Sequence, residues 1–331
     1  MKSLLVDGPT LPQMSPTRKS NRLSGMNFDE AEVIAALARI FGTSGRGVEI
    51  GIGDDAAVVK TSERTAITTD VAVEGTHFNI AWSSAFDIGR KITAANLADV
   101  YAMGGSPRFL VAAVTLTGQE SMEWIEDLAE GIAHEVSGCG AYVVGGDLVK
   151  GPCISISITA IGQIDNAITR SGAQIGDSIY ISSLPGWSAA GLAIIDKDLD
   201  GDIALHAVSE FSAPTVDYAA AVQFSNGKAT SMCDISDALI IQANQVAQAS
   251  GVHFAISQEL IRSNAEFVTL SELAESVGED VWQWILAGGE DHVFLATGRD
   301  LGGFCIGEVQ QGAGVSGVEM KKAPDTWRHF Q

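Results

Sequence analysis

The stretch AYVVGGDLVKGPCISISITAI, residues 141–161, decides how the first half of the chain folds. Ala141 to Val144 is an apolar run of strand length that delivers Gly145-Gly146-Asp147. Ile154 to Ile161 then alternates Ile with Ser, Ser and Thr, the period of a strand with one buried face.

Working outward, Ser121 to Val136 predicts a helix whose Ile125, Leu128, Ala129, Ile132 and Val136 form an apolar stripe, with Gly138 and Gly140 as its stop. Phe109 to Leu116 predicts a strand. Asp87 to Met103 predicts a second helix, closed by Gly104, Gly105 and Pro107, with Asn96 and Asp99 on one face. Farther back, Asp29 to Phe41 reads as a helix, and Ala56 to Val59 and Thr65 to Thr69 as short strands, the second ending on Asp70. These elements make a first α+β unit.

Downstream, the polar, Gly-rich segment from Gln163 to Gly176 precedes a strand at Ser178 to Ser182, which places a domain boundary near residue 164. A helix at Ser188 to Ile195, a loop at Asp196 to Asp202 and a helix at Asp237 to Ser250 follow, with strands at Val293 to Thr297 and Phe304 to Glu308. The organisation expected is a tail over 1–26, rich in Pro, Ser and Thr, a first domain over 27–163 and a second over 164–331. No fixed-period repeat suggests a solenoid.

At 331 residues and 46% hydrophobic, the chain has enough apolar surface for two cores. A net charge of -21 repels nucleic acid and anionic membranes, and the three basic residues Arg18, Lys19 and Arg22 lie in the tail. No apolar run approaches the roughly 20 residues of a membrane span, and no secretory signal is legible, so a cytoplasmic location is expected. Cys139, Cys153, Cys233 and Cys305 form no CxxC pair, and the histidines no HExxH, which argues against a zinc site or a disulfide framework.

The chemistry gathers in acids beside Gly, Ser or Thr: Gly53-Asp54-Asp55, Thr68-Thr69-Asp70, Asn96-Leu97-Ala98-Asp99, Gly145-Gly146-Asp147, Asp234-Ile235-Ser236-Asp237 and Gly288-Gly289-Glu290-Asp291. Taken singly, each reads as a turn or a helix N-cap. Taken together, at the ends of elements, they suggest one site, because strand ends on one side of a sheet are where ligands collect. Two such carboxylates about 4 Å apart repel by about 4 kcal/mol at an effective dielectric near 20, so convergence requires a cation. All-oxygen donors suit Mg²⁺ shared with nucleotide phosphates, and Arg170 in Thr169-Arg170-Ser171-Gly172 adds a fork of donors, although an Arg there also suits a plain ion pair. Rival fingerprints fail: there is no GxxxxGK[ST], and the loose GxGxxA at Gly51 to Ala56 leads into an apolar strand. Gly312-Ala313-Gly314-Val315-Ser316-Gly317 is read as a glycine-rich turn.

In this order, GIGDDAAV, TTDVAVEGTHF, AANLADVYAMGGSP, VVGGDLVKGP, ITRSGAQIGD, CDISDAL and LAGGEDH resemble the thiamine-monophosphate kinase family of the aminoimidazole ribonucleotide synthetase superfamily, over about residues 27 to 310. The resemblance implies a synthetase-like N-terminal α+β domain whose sheet pairs across a homodimer, a C-terminal α/β domain, and an ATP site between them. By match to the family motifs, Asp55, Thr68, Thr69, Asp70, Asp99, Asp147, Asp234 and Asp237 are expected to hold magnesium ions. Gly146, Asp147, Arg170 and Ser236 are expected on ATP, and His77, Glu290 and Trp327 on thiamine monophosphate. Asp147, Arg170 and Asp237 are implied to be catalytic, in a direct in-line transfer that needs no phosphoenzyme. Outside the family context His77 and Trp327 read as ordinary loop and surface residues.

Three positions depart from the family pattern: Ala238 stands for the usual Gly, His292 for the usual aromatic and Leu148 for the commoner Thr. The alternatives are another ATP-using member of the superfamily or a non-catalytic nucleotide-binding maturation factor. The first cysteine, Cys139, argues against selenophosphate synthetase, and the ending Trp-Arg-His-Phe-Gln argues against the hydrogenase factor with its C-terminal Cys.

Overall fold

The computed structural model describes residues 30–52, 56–195, 197, 199 and 201–320. The expected tail, Asp55 and Trp327 lie outside the described residues. The first half runs α1 (Glu30–Phe41), β1 (Val48–Ile50), β2 (Val58–Val59), β3 (Thr65–Val73), α2 (Ala85–Ala102), β4 (Ser106–Leu116), α3 (Met122–Cys139), β5 (Tyr142–Lys150) and β6 (Ser155–Gln163). Ser84 and Ser121 start α2 and α3 by accepting the Asp87 and Trp124 N–H groups, and Gly140 ends α3 in the left-handed conformation.

Strands β3, β6, β4 and β5 pair in that order, with β4–β5 parallel and the other pairs antiparallel. The alternation read in 154–161 is real: Ile156, Ile158 and Ala160 are buried, and α2 lies against both β6 and β3. The opposite face carries Ile67, 69% exposed, Val71, 52% exposed, and Val149. Two strands are longer than the sequence suggests. Asp70 lies inside β3 opposite Ile158, and Gly146 and Asp147 lie inside β5 opposite Ala112 and Ala113. Gly146 is what permits that pairing, since a Cβ there would strike the Ala112 carbonyl.

The second half runs β7 (Ser178–Ile181), α4 (Trp187–Ile194), α5 (Asp202–Ser212), α6 (Tyr218–Asn226), β8 (Ser231–Ile235), α7 (Leu239–Ser250), β9 (His253–Ile256), α8 (Gln258–Arg262), α9 (Phe267–Ser276), α10 (Val281–Ala287), β10 (Val293–Gly298), β11 (Phe304–Gln310) and β12 (Gly314–Ser316). Its six strands are ordered β12-β9-β11-β7-β10-β8, antiparallel except for β9–β12. The glycine-rich turn expected at 312–317 therefore contains a short edge strand. Three residues with a single apolar side chain are too few to show a period.

Both faces of this sheet are covered. One core packs behind it against α4, α7, α9 and α10. The other is continuous with the first half: Tyr180, Ala221, Phe224, Met232, Phe294 and Ala296 pack in the same cluster as Ile92, Leu97 and Tyr101 of α2. Polar contacts strengthen that seam. The Tyr218 hydroxyl donates to Glu135 of α3 at 2.9 Å, and its ring stacks on Tyr101 at 4.8 Å.

Candidate active site

Where α2 and β3 face α4, α10 and the segments at 236–237 and 288–292, they leave a cleft of about 920 Å³. Of the residues expected in the site, Asp70, His77, Asp99, Asp234, Ser236, Asp237 and Glu290 line it.

Its acidic end is built from three elements. Asp70 points toward α2, where the buried Asn96 accepts the Asp70 N–H at 3.1 Å. Asp99, one turn along α2 from Asn96, accepts from the Thr68 hydroxyl at 2.5 Å. Burial pushes the Asp99 carboxyl up to about 6, with the Asp234 charge adding to the rise and the Thr68 hydrogen bond opposing it. Burial also raises Asp70, opposed by His292 and reinforced by Asp234 and Glu290. Asp234, buried on β8, accepts from Nδ1 of the buried His292 at 3.0 Å. Burial alone would lower His292, but the Asp234 hydrogen bond and charge outweigh it and hold the ring above its usual value.

The loop carrying Glu290 is held by backbone contacts. The Glu290 N–H donates to Ser236 O at 2.7 Å and the His292 N–H to Ile235 O at 3.1 Å. Gly289 lies so close to the 236–237 backbone that a Cβ would strike the Ser236 and Asp237 carbonyls. Glu290 and His292 both adopt positive φ, +71° and +50°, a costly conformation for residues with a Cβ. Asp291 has a structural role: its carboxylate accepts the Gly186 and Ser188 N–H groups, both at 2.9 Å, at the start of α4. Asp237 accepts from Gln242 Nε2 at 3.1 Å. His77 accepts the Val73 N–H on Nδ1 at 3.1 Å, so the neutral ring carries its proton on Nε2.

Aromatic rings also line the cleft: Phe78, Trp82, Phe211 and Trp284. Sequence reasoning missed Lys91, whose Nζ lies 3.2 Å from Glu290. The signal was present: Lys91, Ala95 and Asp99 recur every fourth residue, on one face of α2, and all three line the cleft.

The remaining expected residues lie elsewhere in the chain. Thr69, Gly146 and Asp147 occupy the open face or exposed edge of the first sheet, where Asp147 accepts the Leu148 N–H. Arg170 runs along the outer edge of β8, where Met232 donates to Thr169 O, and its side chain bonds the Cys233 thiol. Asp70 and Asp147 are therefore not at strand ends, as the acid-plus-Gly pattern suggested, but in mid-strand, whereas Asp99 does lie in the last turn of α2.

The acids at this site offer oxygen donors, and burial, reinforced by their neighbours' charge, raises Asp70 and Asp99, a cost that a cation would relieve. Among the described residues no three His, Cys, Asp or Glu side chains make a ready metal cage. Such a set fits a hard divalent ion that keeps part of its shell for water and phosphate oxygens.

Residues 53–164 match the family model described as AIR synthase related protein, N-terminal domain. The thiamine-monophosphate kinase of Corynebacterium glutamicum is 33% identical over 98% of this chain and 96% of its own length, and that of Aquifex aeolicus 32% identical over 84% and 92%. Among solved structures, thiamine monophosphate kinase from Aquifex aeolicus superimposes with a TM-score of 0.71 at 30% identity, covering 78% of this chain and 88% of that one. AaThiL complexed with AMPPCP and TMP superimposes with a TM-score of 0.73 at 27% identity, covering 96% and 100%. The hydrogenase maturation protein HypE in complex with ATP, at 18% identity and a TM-score of 0.68 over 87% and 88%, shares the fold.

Proposed function

The chain belongs to the thiamine-monophosphate kinase family, and on that premise we propose that the cleft between α2 and the 288–292 loop is where it phosphorylates thiamine monophosphate with ATP. The observation that carries this reading is the pairing, in one cleft, of carboxyls raised by burial and by one another's charge with aromatic side chains. A polyphosphate with its cation fits the first, and the flat rings of thiamine fit the second.

In this reading Thr68, Asp70, Asp99, Asp234 and Asp237 hold Mg²⁺ from the cleft, joined by Asp55, and by Thr69 and Asp147 from the open face. Magnesium, when bound, offsets the phosphate charge and aligns the transferring group. Gly146, Asp147, Arg170 and Ser236 bind ATP, with Asp147, Arg170 and Asp237 nearest the transfer. His77 offers its Nε2–H and Glu290 its carboxylate to the thiamine moiety, with Trp327 as a stacking partner. The acceptor phosphate is already ionised near neutral pH, so the protein orients the two reactants and removes no proton.

The domains are taken as 27–163 and 164–331, preceded by the tail. The protein is taken to act in the cytoplasm, and no helix among the described residues is long and apolar enough to cross a membrane. A homodimer formed through the open sheet face would bury Ile67, Val71 and Val149 and put Thr69, Gly146 and Asp147 at its interface, which supports their assignment.

The test is turnover with ATP and Mg²⁺, with the product identified by mass. Thiamine diphosphate formed from thiamine monophosphate, and not from thiamine, is expected. ATP binding without any turnover of thiamine monophosphate would assign the cleft to a sister activity or a binding role.

A further inference from the structure

Lys91 is a cation in the cleft that the phosphoryl-transfer reading does not use. Its side chain is only 8% exposed, with Ile88 and Ile92 beside it on α2. Nζ donates to Phe211 O at 2.9 Å, stands 4.7 Å from the Phe211 ring centroid, and meets Glu290 Oε2 at 3.2 Å. An ammonium this deep is tolerated only where it is paired and hydrogen-bonded. The acid that pairs it comes from the other wall of the cleft.

Glu290 is built to meet it. Its backbone is fixed at positive φ by the bond to Ser236 O and the close approach of Gly289, so the side chain has one direction in which to leave the loop. Burial works to raise its carboxyl, but the Lys91 charge and hydrogen bond, together with His292 and His77, outweigh burial and hold it below the usual value. One oxygen faces Lys91, yet the side chain remains 47% exposed to the cleft, which Gly75, Thr76 and His77 also line. An ion pair that takes one carboxylate oxygen and leaves the group open holds a receptor for a second positive or N–H-bearing partner. The thiazolium and aminopyrimidine of thiamine are such partners.

We propose that Lys91 is a positioning residue for substrate: it reaches across the cleft to hold the Glu290 carboxylate where that carboxylate meets the thiamine moiety. The proposal rests on the kinase reading above and adds to it a residue that touches neither nucleotide nor phosphate.

The test is steady-state kinetics of K91M, K91R, E290Q and K91M/E290Q with melting temperatures alongside. K91M is expected to raise KM for thiamine monophosphate about tenfold, the worth of one charge-assisted hydrogen bond. Its kcat and its KM for ATP should stay within about twofold of wild type. E290Q should do the same, the double variant should be no worse than the worse single, and K91R should recover part of the loss. A role in stability alone would lower the melting temperature and leave KM unchanged, and independent roles would make the two effects multiply. Either outcome overturns the proposal. Should K91M not accumulate as folded protein, the same non-additivity is read from K91R with E290Q. Wild-type enzyme that fails to turn over thiamine monophosphate sinks the kinase reading, whereas a working wild type with an unchanged K91M sinks only the role of Lys91.

Discussion

The two faces of β3 carry alternate residues of one short motif and put them in different places. Thr68 and Asp70 turn toward α2 and the cleft, where they meet Asp99 and Asn96. Thr69, between them, turns to the open face, where its hydroxyl meets Ser157 and Thr159 of β6 and its neighbours Ile67 and Val71 stand exposed. Strand geometry allows nothing else, because successive side chains leave opposite faces. Three adjacent residues that look like one ligand set thus belong to two surfaces, and Asp147 belongs to the second.

The largest test of that division pairs Asp70→Asn with Asp147→Asn. Each is nearly isosteric, and each is expected to lower kcat by about a thousandfold, the scale of losing a preorganised charge at a transferring phosphoryl group, with the melting transition kept. Near-normal activity in Asp147→Asn alone would leave the cleft face as the sole metal face.

Next in size is Val71→Asp, which sets a charge among the exposed apolar residues of the open face. It is expected to convert a dimer to a monomer in light scattering and to lower activity at least about tenfold, since an unpaired charge in an apolar interface costs several kcal/mol. A wild-type monomer would show that the open face has no such partner.

A smaller effect concerns protons in the cleft. Asp99 titrates near 6 rather than at 3.8, so Mg²⁺ must displace its proton below that value. Calorimetric affinity for Mg²⁺ is expected to rise by up to about tenfold per pH unit toward 6 and level above it, and Asp99→Asn should flatten the rise. The sign for folding is opposite. A raised carboxyl contributes its stability below 3.8 and loses it as pH rises through about 6, so the metal-free protein gives up that contribution where metal binding improves.

The smallest effect lies behind the cleft. Asp291→Asn keeps one acceptor for two N–H groups at the start of α4 and is expected to lower stability by about 1–2 kcal/mol in denaturant melts, with the KM values unchanged. A loss of activity at full stability would make Asp291 part of the site rather than a helix cap.

Much of this molecule was legible in its sequence. The helix α3 and the strand β6 announced themselves by period, and α2 by the glycines that close it. Four of the elements missed have a physical reason in burial or length. The strand β8 is buried at every residue and so shows no alternation, β12 has three residues, and α8 and α10 are too short for a stripe to repeat. In the site, the acids were visible through the glycines around them. Lys91 was legible only through its shared helix face with Asp99, and its role was not, because its partner lies 199 residues away, at Glu290.

Composition, period and motif order by themselves determined the element types, the α+β organisation, the family and the oxygen-rich chemistry of the site, because each depends on residues near one another in the chain. Only the tertiary structure decided which acids share a cleft, that Asp147 and Thr69 face away from it, that Asp291 is a helix cap, and that Lys91 holds Glu290. Those facts depend on which face of a strand is covered and on contacts between distant segments, and packing of the two halves around a shared core is what settles both.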